Sequence, residues 1–273
     1  MSLVRQGLAP SREKARALIM AGQVYKGAQR VSKAGDMLPP DTLLEVKGQG
    51  LPYVSRGGLK LAKALEAFAI DLNSKTILDV GASTGGFTDC ALQHGAKAVC
   101  AVDVGYGQLD WKLRQDPRVT VLEKTNARYL TLDRIGDKVD FVTIDVSFIS
   151  LDKIFPVLPG LVKLGGCGVA LIKPQFEAGR EQVGAKGVVR DVKTHKAVLE
   201  KVSGLLPESG LYPCGLTWSP VKGPEGNIEY LLWFGYAAGA GEAPRPSALP
   251  DRMDWGAVAD QAFAAFAAFA VID

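Results

Sequence analysis

Short apolar runs alternate with helical segments along residues 59–236, and this alternation restricts the possible fold more than any other feature. Seven runs, among them TILDVGA, KAVCAVDVG and GGCGVALIK, have the apolar character of strands buried on both faces. Strands that alternate with helices predict a mostly parallel sheet with helices on both sides. The last two runs, LYPCGLTWS and NIEYLLWFGY, are joined too closely for a helical crossover, so the final strand should pair antiparallel. We therefore expect an α/β, Rossmann-like fold.

A different pattern occupies the first 48 residues. The segment SREKARALIM begins at Ser11, a good helix N-cap, and Gly22 follows as a helix end. QVYKGAQRV has the pattern of two short strands around a tight turn, and TLLEVKG adds a third strand. Eight Lys and Arg residues stand against four Asp and Glu residues here, so this segment's net charge of +4 exceeds the +3 of the whole chain. A small α+β domain with a basic excess indicates a polyanion as its partner.

Stretches rich in glycine and proline indicate the domain boundaries. The expected division is an N-terminal domain at 1–48, a linker at 49–58, the α/β domain at 59–236, and a linker with a C-terminal helix at 237–273. Phe263, Phe266 and Phe269 form an apolar stripe on that last helix. We expect the stripe to pack either on the protein's own core or on a second copy, which would make a homodimer.

The composition argues against a membrane protein and against a metalloprotein. The N-terminus lacks the apolar core of a signal peptide, and AFAAFAAFAVI has eleven residues against the ~18 needed to cross a bilayer. The four cysteines are scattered without a CxxC pair, and the two histidines lie far apart, so no metal-ligand cluster is expected. These observations predict a cytoplasmic protein with reduced cysteines, no membrane contact and no bound metal.

The first strand of the α/β part leads into a glycine-rich turn, LDVGASTGGFTD. Such a turn lets a ligand approach backbone N–H groups at the start of a helix. The dinucleotide fingerprint GxGxxG is absent. Asp103 ends the second strand, 22 residues after Gly81, where it could accept hydrogen bonds from ribose hydroxyls. The pattern indicates an adenosine-containing cofactor. Two alternatives stay open: the glycine turn serves only the geometry of the chain, or Asp103 is an ordinary surface carboxylate.

Asp79 lies inside the first strand, just before this turn. Its carboxylate could anchor the turn or face the charged end of a cofactor. S-adenosylmethionine carries a sulfonium cation and an amino group, so acids around the turn suit it better than they suit a pyrophosphate. The missing fingerprint points the same way, and we expect S-adenosylmethionine as the cofactor.

Four polar residues fall near the edge at which the parallel strands end, where ligands bind in sheets of this kind. They are Lys60, Asp145, Lys173 and Glu229. Taken singly, each has an ordinary explanation as a solvated lysine or a helix-capping acid. Glu229 interrupts an otherwise apolar strand, however, and Pro174 ends the strand directly behind Lys173. Together, two amines and two carboxylates can pair in a cleft without a large net charge.

This combination suits methyl transfer to a sugar hydroxyl. Such a hydroxyl is a poor nucleophile and a very weak acid, so its proton must be removed as the oxygen attacks. A lysine can accept that proton when a cationic neighbour or desolvation favours its neutral amine. The second lysine supplies the neighbour, and the two acids hold both amines in place.

Six motifs carry a resemblance to a known family: SREKARALIMAGQVYKG near the N-terminus, then SRGGLKL, LDVGASTGGFTD, TIDVSFISL, LIKPQFE and GNIEYLLW. In these motifs the chain resembles the hemolysin-A-like (TlyA) ribosomal RNA methyltransferases. Members of that family join an S4 RNA-binding domain to a methyltransferase domain of the FtsJ/RrmJ kind. The resemblance implies a class I methyltransferase fold and a product with a 2′-O-methylated ribose, typically of cytidine, in ribosomal RNA.

The resemblance also implies roles for individual residues. A catalytic Lys-Asp-Lys-Glu tetrad falls on Lys60, Asp145, Lys173 and Glu229, with Lys173 as the amine that activates the ribose hydroxyl. The residues expected to contact S-adenosylmethionine are Asp79, Gly81, Ala82, Ser83, Gly85, Gly86, Phe87, Asp103, Asn126 and Asp145.

Basic residues near the N-terminus are candidates for contacts to RNA phosphates. The predicted RNA-binding residues are Arg12, Lys14, Arg16, Lys26, Arg30 and Arg56. Phosphate contacts provide affinity and salt dependence more than sequence choice. A merely solvated charged face is the alternative for this set.

Three other classes of function compete with the methyltransferase. A nucleotide-dependent oxidoreductase would bind NAD, but it leaves the two lysines unexplained. A ribosome-binding or assembly factor could carry an inactive methyltransferase domain, although the complete tetrad argues against it. A pore-forming hemolysin, suggested by the family's historical name, conflicts with the absence of a membrane-spanning run.

Overall fold

The computed structural model describes residues 2–20, 23–27, 29–31, 35, 38–39, 42–46, 51–237 and 254–269. The chain divides into two compact units, Met1–Pro52 and Tyr53–Asp273, each described here by itself. Residues 238–253 and 270–273 of the segment predicted as a linker with a C-terminal helix, and residues 49–50 of the linker predicted at 49–58, lie outside the described residues.

The first unit is a small α+β module, as predicted. Its elements are α1 (Ser2–Arg5), α2 (Arg12–Met20), β1 (Val24–Lys26), β2 (Gln29–Arg30) and β3 (Glu45–Val46). Strand β1 lies between β2 and β3 and pairs antiparallel with both. The Ser11 hydroxyl accepts a hydrogen bond from the Lys14 N–H at 3.2 Å, so Ser11 caps α2 as expected. Leu3, Ala15 and Val24 lie in the core of this unit.

A seven-stranded sheet forms the centre of the second unit. Its strands are β4 (Thr76–Val80), β5 (Ala98–Val102), β6 (Val119–Leu122), β7 (Val139–Ile144), β8 (Val162–Ile172), β9 (Leu211–Trp218) and β10 (Tyr230–Tyr236). The strand order is β6-β5-β4-β7-β8-β10-β9. Strands β4 to β8 are parallel, and β10 runs antiparallel between β8 and β9. The predicted mostly parallel sheet with an antiparallel last strand is confirmed.

Helices cover both faces of this sheet. They are α3 (Gly57–Phe68), α4 (Gly86–Gln93), α5 (Trp111–Arg114), α6 (Leu132–Ile135), α7 (Leu158–Leu161), α8 (Pro174–Glu177), α9 (Val192–Leu205) and α10 (Trp255–Phe269). Successive side chains of a strand face opposite sides, so Ile77 packs with α3 and α4 while Leu78 packs on the side of α9. In the part of the chain that the structure describes, no helix is long and apolar enough to cross a membrane.

The sequence patterns of YGQLDWKLRQDP and LDKIFPVLPGLVKL each predict one helix, but the helices in both segments are shorter. YGQLDWKLRQDP contains a helix only at Trp111–Arg114, because Gly107 has a φ of 69° and the Asp110 carboxylate caps the helix by accepting from the Lys112 N–H. LDKIFPVLPGLVKL forms short helical turns, and β8 already begins at Val162. The two prolines in this stretch lack the N–H groups that a continuous helix needs.

The C-terminal helix α10 packs against α9, on the same side of the sheet as Leu78. Ala259 and Ala262 are fully buried there, and Phe263 and Phe266 pack against the same core. The side chain of Phe269 lies outside the described residues. The sequence left open whether this stripe packs on the protein's own core or on a second copy. In the structure, Phe263 and Phe266 pack on the protein's own core.

Candidate active site

The segments after β4, β5, β6, β7 and β8 meet at the carboxyl edge of the sheet and line two adjoining cavities. The larger cavity has a volume of about 500 Å³ and the smaller one about 290 Å³. Gly81, Ser83, Asp145 and Ser147 line both cavities. This is the edge at which ligands bind in parallel α/β sheets, so the two cavities together are the candidate site.

The larger cavity contains half of the residues predicted to contact a cofactor. These are Gly81, Ser83, Asp103, Asn126 and Asp145. Asp103 follows β5 directly, and its carboxylate accepts hydrogen bonds from the N–H groups of Ser83 at 2.8 Å and Gly105 at 2.7 Å. One carboxylate therefore joins the turn after β4 to the loop after β5, and it does so at the wall of the cavity.

The smaller cavity combines further residues of the predicted cofactor set with basic side chains. Ala82, Gly86 and Phe87 line it. The basic residues in its wall are Arg56, Lys60, Lys173 and Lys222. The smaller cavity thus has four basic side chains in its wall, whereas the larger one has Arg128 alone.

Close backbone packing explains the glycines of the turn. Gly81 has a φ of 86°, and a Cβ there would lie 2.5 Å from the backbone oxygen of Asp145. Gly85 lines neither cavity: its φ is 93°, and a Cβ would lie 2.3 Å from the side chain of Leu113. The turn therefore needs glycine at these positions for chain geometry, and the same geometry keeps the backbone accessible from the cavities.

Asp79 lies beneath the turn and not in either cavity wall. Its side chain is buried, and its two oxygens accept hydrogen bonds from the hydroxyls of Thr88 at 2.6 Å and Thr143 at 2.8 Å. Burial raises the pKa of Asp79 to about 6, and the two hydrogen bonds oppose this shift. Of the two roles that the sequence left open, these contacts favour anchoring: Asp79 links β4 to α4 and β7.

The four residues of the predicted tetrad converge in one cluster. The Lys173 Nζ lies 2.5 Å from Asp145 Oδ1 and donates a hydrogen bond to the Ser147 hydroxyl at 2.9 Å. The Lys60 Nζ lies 2.7 Å from Glu229 Oε2 and 3.8 Å from Asp145 Oδ2. Asp145 therefore stands between the two lysines. Glu229 does not lie within the last strand as expected, since β10 begins at the next residue.

Three of the four tetrad side chains are buried. The exposed fraction is 8% for Lys60, 7% for Lys173 and 0% for Glu229. Charges at this depth are costly unless they are paired, and each of the two lysines contacts a carboxylate. Oε1 of Glu229 has no hydrogen-bond partner among the residues that the structure describes.

Three positions near the tetrad were not predicted from the sequence. Ser147 bonds to Lys173 and lines both cavities. Glu177 is buried, and its carboxylate accepts hydrogen bonds from the Ser150 hydroxyl and the Leu151 N–H. Gly223 lies against the Glu229 carboxylate, since a Cβ there would be 2.1 Å from Oε1. Ser147 and Glu177 lie inside the motifs TIDVSFISL and LIKPQFE, and Gly223 lies just before GNIEYLLW, which is their only signal in the sequence.

The residues predicted to bind RNA lie in both units. In the first unit, the side chains of Arg12, Lys14, Arg16 and Lys26 are exposed, whereas that of Arg30 lies outside the described residues. In the second unit, Arg56 is exposed and lines the smaller cavity. Within the described ranges, no group of three or more His, Cys, Asp or Glu side chains is arranged to hold a metal ion.

Two family models match this chain. The model described as FtsJ-like methyltransferase covers residues 53–236, which include both cavities and the tetrad. The chain belongs to the FtsJ-like methyltransferase family. The S4 domain model matches residues 1–44, in the first unit. The predicted combination of an S4 domain with a methyltransferase domain of this kind is confirmed.

Several proteins are similar in sequence to this methyltransferase over most of its length. Protein YqxC of Bacillus subtilis is 54% identical over 89% of this chain and 88% of its own. The 16S/23S rRNA (cytidine-2′-O)-methyltransferase TlyA of Mycobacterium tuberculosis is 49% identical over 85% of this chain and 87% of its own. Among solved structures, a Streptococcus thermophilus protein that carries the name hemolysin is 44% identical, with a TM-score of 0.77 over 97% of this chain and 94% of its own.

Proposed function

We propose that this protein transfers a methyl group from S-adenosylmethionine to the ribose 2′-hydroxyl of cytidine in ribosomal RNA. The observation that carries the proposal is the ion-paired cluster of Lys60, Asp145, Lys173 and Glu229 beside a cavity of about 500 Å³. The name of the Mycobacterium tuberculosis relative specifies this reaction on 16S and 23S rRNA, which supports the choice of substrate.

The larger cavity fits S-adenosylmethionine in its chemistry. Asp103 would accept hydrogen bonds from the ribose hydroxyls, and Asn126 would offer its amide group to the nucleoside. The turn that begins at Gly81 would let the ligand approach the backbone, and Asp145 would face its cationic end. When bound, the cofactor supplies an electrophilic methyl group on a sulfonium sulfur. Asp79 is assigned to support of the turn, because both of its oxygens already accept hydrogen bonds from threonines.

Lys173 is the residue that we assign as the acceptor of the 2′-hydroxyl proton. The amine lines the smaller cavity, and its contacts to Asp145 and Ser147 hold its position. Lys173 would accept the proton that the 2′-hydroxyl loses during methyl transfer, and Asp145 would stabilise the ammonium that forms. Lys60 orients Asp145 from the other side, and Glu229 holds Lys60.

The S4 domain is assigned to binding of the RNA backbone. Arg12, Lys14, Arg16 and Lys26 are exposed there and would contact phosphates, together with Arg30. Arg56 would contact the RNA beside the catalytic cluster, where it lines the smaller cavity. Such contacts predict binding that weakens steeply as the salt concentration rises.

Two further parts of the proposal concern the surroundings of the enzyme. A ribosomal substrate implies a cytoplasmic location. A homodimer through the C-terminal helix stays a prediction, and the packing of Phe263 and Phe266 on the protein's own core leaves less apolar surface for it.

The experiment that tests the function measures transfer of tritiated methyl from S-adenosylmethionine to isolated 30S and 50S subunits. Wild type is compared with Lys173→Ala and with the matched control Lys75→Ala, which changes an exposed lysine before β4, at the opposite edge of the sheet. We expect label on RNA, resistant to alkaline hydrolysis at one dinucleotide, for wild type and the control. The Lys173→Ala variant should transfer no label while it binds S-adenosylmethionine normally in calorimetry.

Other outcomes assign other functions. If no RNA is labelled although the cofactor binds, the proposal fails in favour of a ribosome-binding factor or another substrate. If the protein binds NAD instead, the oxidoreductase alternative gains support. Leakage of liposomes at physiological salt would support a membrane-active protein.

A further inference from the structure

The C-terminal helix α10 contacts the wall of the catalytic cavity, although it lies outside the residues matched by either family model. The Lys222 Nζ lies 5.0 Å from the centre of the Phe266 ring. Lys222 and its neighbours Val221 and Gly223 line the smaller cavity. A cation over an aromatic face is attracted by the ring, so Phe266 contacts this part of the wall through Lys222.

The same wall lies against the tetrad. The segment 219–227, here called the cavity loop, precedes β10 and includes Lys222 and Gly223. A Cβ on Gly223 would be 2.1 Å from Glu229 Oε1, so the loop backbone packs directly on that carboxylate. The Ser219 N–H donates to the backbone oxygen of Glu229 at 2.9 Å. A shift of the cavity loop would therefore move Glu229, and with it the Lys60 that Glu229 holds.

A second connection runs from α10 through His195. The Phe263 ring packs against the His195 ring edge to face, with centroids 4.9 Å apart. His195 is fully buried: Nε2–H donates to the Val189 oxygen at 3.0 Å, and Nδ1 accepts from the Tyr230 hydroxyl at 2.8 Å. Tyr230 follows Glu229 directly in the chain. Phe263 thus supports the side chain that fixes the start of β10.

Asn227 joins these two connections. Its Oδ1 accepts a hydrogen bond from the Val189 N–H at 3.1 Å, and its Nδ2 donates to the Gly187 oxygen at 2.9 Å. Its backbone oxygen accepts from the Gly223 N–H at 2.9 Å. The cavity loop is therefore fastened to the segment that His195 also contacts, and α10 covers this arrangement from the side of α9.

We propose that α10 is a positioning element of the active site, in which Phe266 holds the cavity loop through Lys222 so that Glu229 and Lys60 keep their geometry. The inference rests on the proposed function for its catalytic consequence. Phe266 is a positioning residue, since it acts through Lys222 and the loop and lines neither cavity.

The test compares Phe266→Leu with Phe266→Tyr in the full chain. Leucine keeps an apolar side chain but removes the aromatic face, whereas tyrosine keeps it. We expect Phe266→Leu to lower kcat for rRNA methylation roughly tenfold, because small misplacements in a catalytic group are costly. The Kd for S-adenosylmethionine should stay within about twofold of wild type, since neither Phe266 nor Lys222 lines the larger cavity. Phe266→Tyr should retain kcat.

The matched control is Asp260→Asn, on the same helix as Phe266. It removes the exposed ion pair of Asp260 with Lys196 of α9 and leaves Phe266 in place. An exposed pair contributes little to stability, so this variant should behave as wild type. Unchanged kcat in Phe266→Leu would overturn the proposal. A parallel loss of kcat, cofactor binding and thermal stability would also overturn it, since that pattern indicates general destabilisation.

A second readout does not depend on methyl transfer. Hydrogen exchange of peptides over 219–227 should become faster in Phe266→Leu and remain at the wild-type rate in Phe266→Tyr, while peptides over β4 and β5 stay unchanged. If the wild type fails to methylate RNA, the proposed function fails, and this exchange measurement still tests the contact between α10 and the cavity loop. Equal exchange of the loop in both variants and wild type would refute it.

Discussion

Lys60 and Glu229 lie 169 residues apart in the chain and form a buried ion pair, with 2.7 Å between Nζ and Oε2. Lys60 lies in α3, which precedes the sheet in the chain. Glu229 lies directly before β10, the last strand of the sheet in chain order. The pair therefore forms only when the whole α/β unit has folded. It also reaches Asp145, which contacts the second lysine, so the four residues of the predicted tetrad join distant parts of the domain.

Removal of one partner of this pair should destabilise the domain. Glu229→Ala leaves the Lys60 cation buried with only the longer contact to Asp145, and we expect the free energy of unfolding to fall by about 3 kcal/mol. The double variant Lys60→Met with Glu229→Leu should recover most of that loss, because apolar side chains can replace a buried pair. It should nevertheless remain inactive. Urea unfolding followed by tryptophan fluorescence measures the difference, and a double variant as unstable as Glu229→Ala would contradict the prediction.

Arginine should not replace Lys173. The guanidinium group keeps its proton, so it cannot accept one from the ribose hydroxyl, and its planar shape differs from that of the amine between Asp145 and Ser147. We expect methyl transfer by Lys173→Arg to fall by at least ~10²-fold, the range of general base catalysis. Cofactor binding should be unchanged, and Lys75→Arg serves as the control. More than a tenth of wild-type activity would exclude Lys173 as the proton acceptor.

Asp79→Asn should change how stability depends on pH. Because burial raises the pKa of Asp79 to about 6, above its ordinary value of 3.8, the folded state binds a proton before the unfolded state does as pH falls. The carboxylate thus costs stability above about pH 6, and the cost is relieved toward pH 4. Relative to the asparagine variant, wild type should gain about 2 kcal/mol between about pH 7 and about pH 4.5.

Urea unfolding of both proteins at the two pH values measures this difference, and titration of all other groups cancels in the comparison. Asparagine can still meet Thr88 and Thr143 with its amide group, so the variant should fold. A difference between the proteins that stays constant with pH would show that Asp79 titrates normally.

Gly223→Ala should impair catalysis more than folding. The added methyl group would lie 2.1 Å from Glu229 Oε1, so either the carboxylate or the cavity loop must move. We expect kcat to fall at least roughly tenfold through the misplaced cluster. The control is Gly204→Ala in α9, where a Cβ meets nothing within 4 Å and helix propensity predicts a slight gain in stability. Equal kcat in both variants would contradict the close approach of the loop to Glu229.

Glu177→Ala should weaken both cofactor binding and turnover. The Glu177 carboxylate holds the Ser150 hydroxyl at 2.6 Å and the Leu151 N–H at 2.8 Å, and the loop that precedes them lines the larger cavity. Without it, we expect the Kd for S-adenosylmethionine to rise roughly tenfold, about the lower value of one charge-assisted hydrogen bond. Glu177→Gln should bind normally, since its amide can accept from the Leu151 N–H and donate to the Ser150 oxygen. Calorimetry decides between the two.

Local patterns were enough to predict much of the fold. Apolar runs of strand length and the helices between them indicated seven strands, and the short connection before NIEYLLWFGY indicated the antiparallel pairing of β9 and β10. Each of these inferences depends on residues within a few positions of one another. Where a local pattern was ambiguous, as in YGQLDWKLRQDP, the backbone conformation of Gly107 shortened the helix, and the spacing of apolar residues does not report that conformation.

The sequence by itself determined which residues reach the carboxyl edge of the sheet, because Lys173, Asp103 and Asp145 each follow the end of a strand and parallel strands end on the same side. Only the tertiary structure decided the pairings: Lys60 with Glu229, Lys173 with Ser147, and α10 with the cavity loop. Periodicity is set by near neighbours in the chain. These contacts, by contrast, join segments that come together only when the strands assemble into the sheet and helices cover its faces.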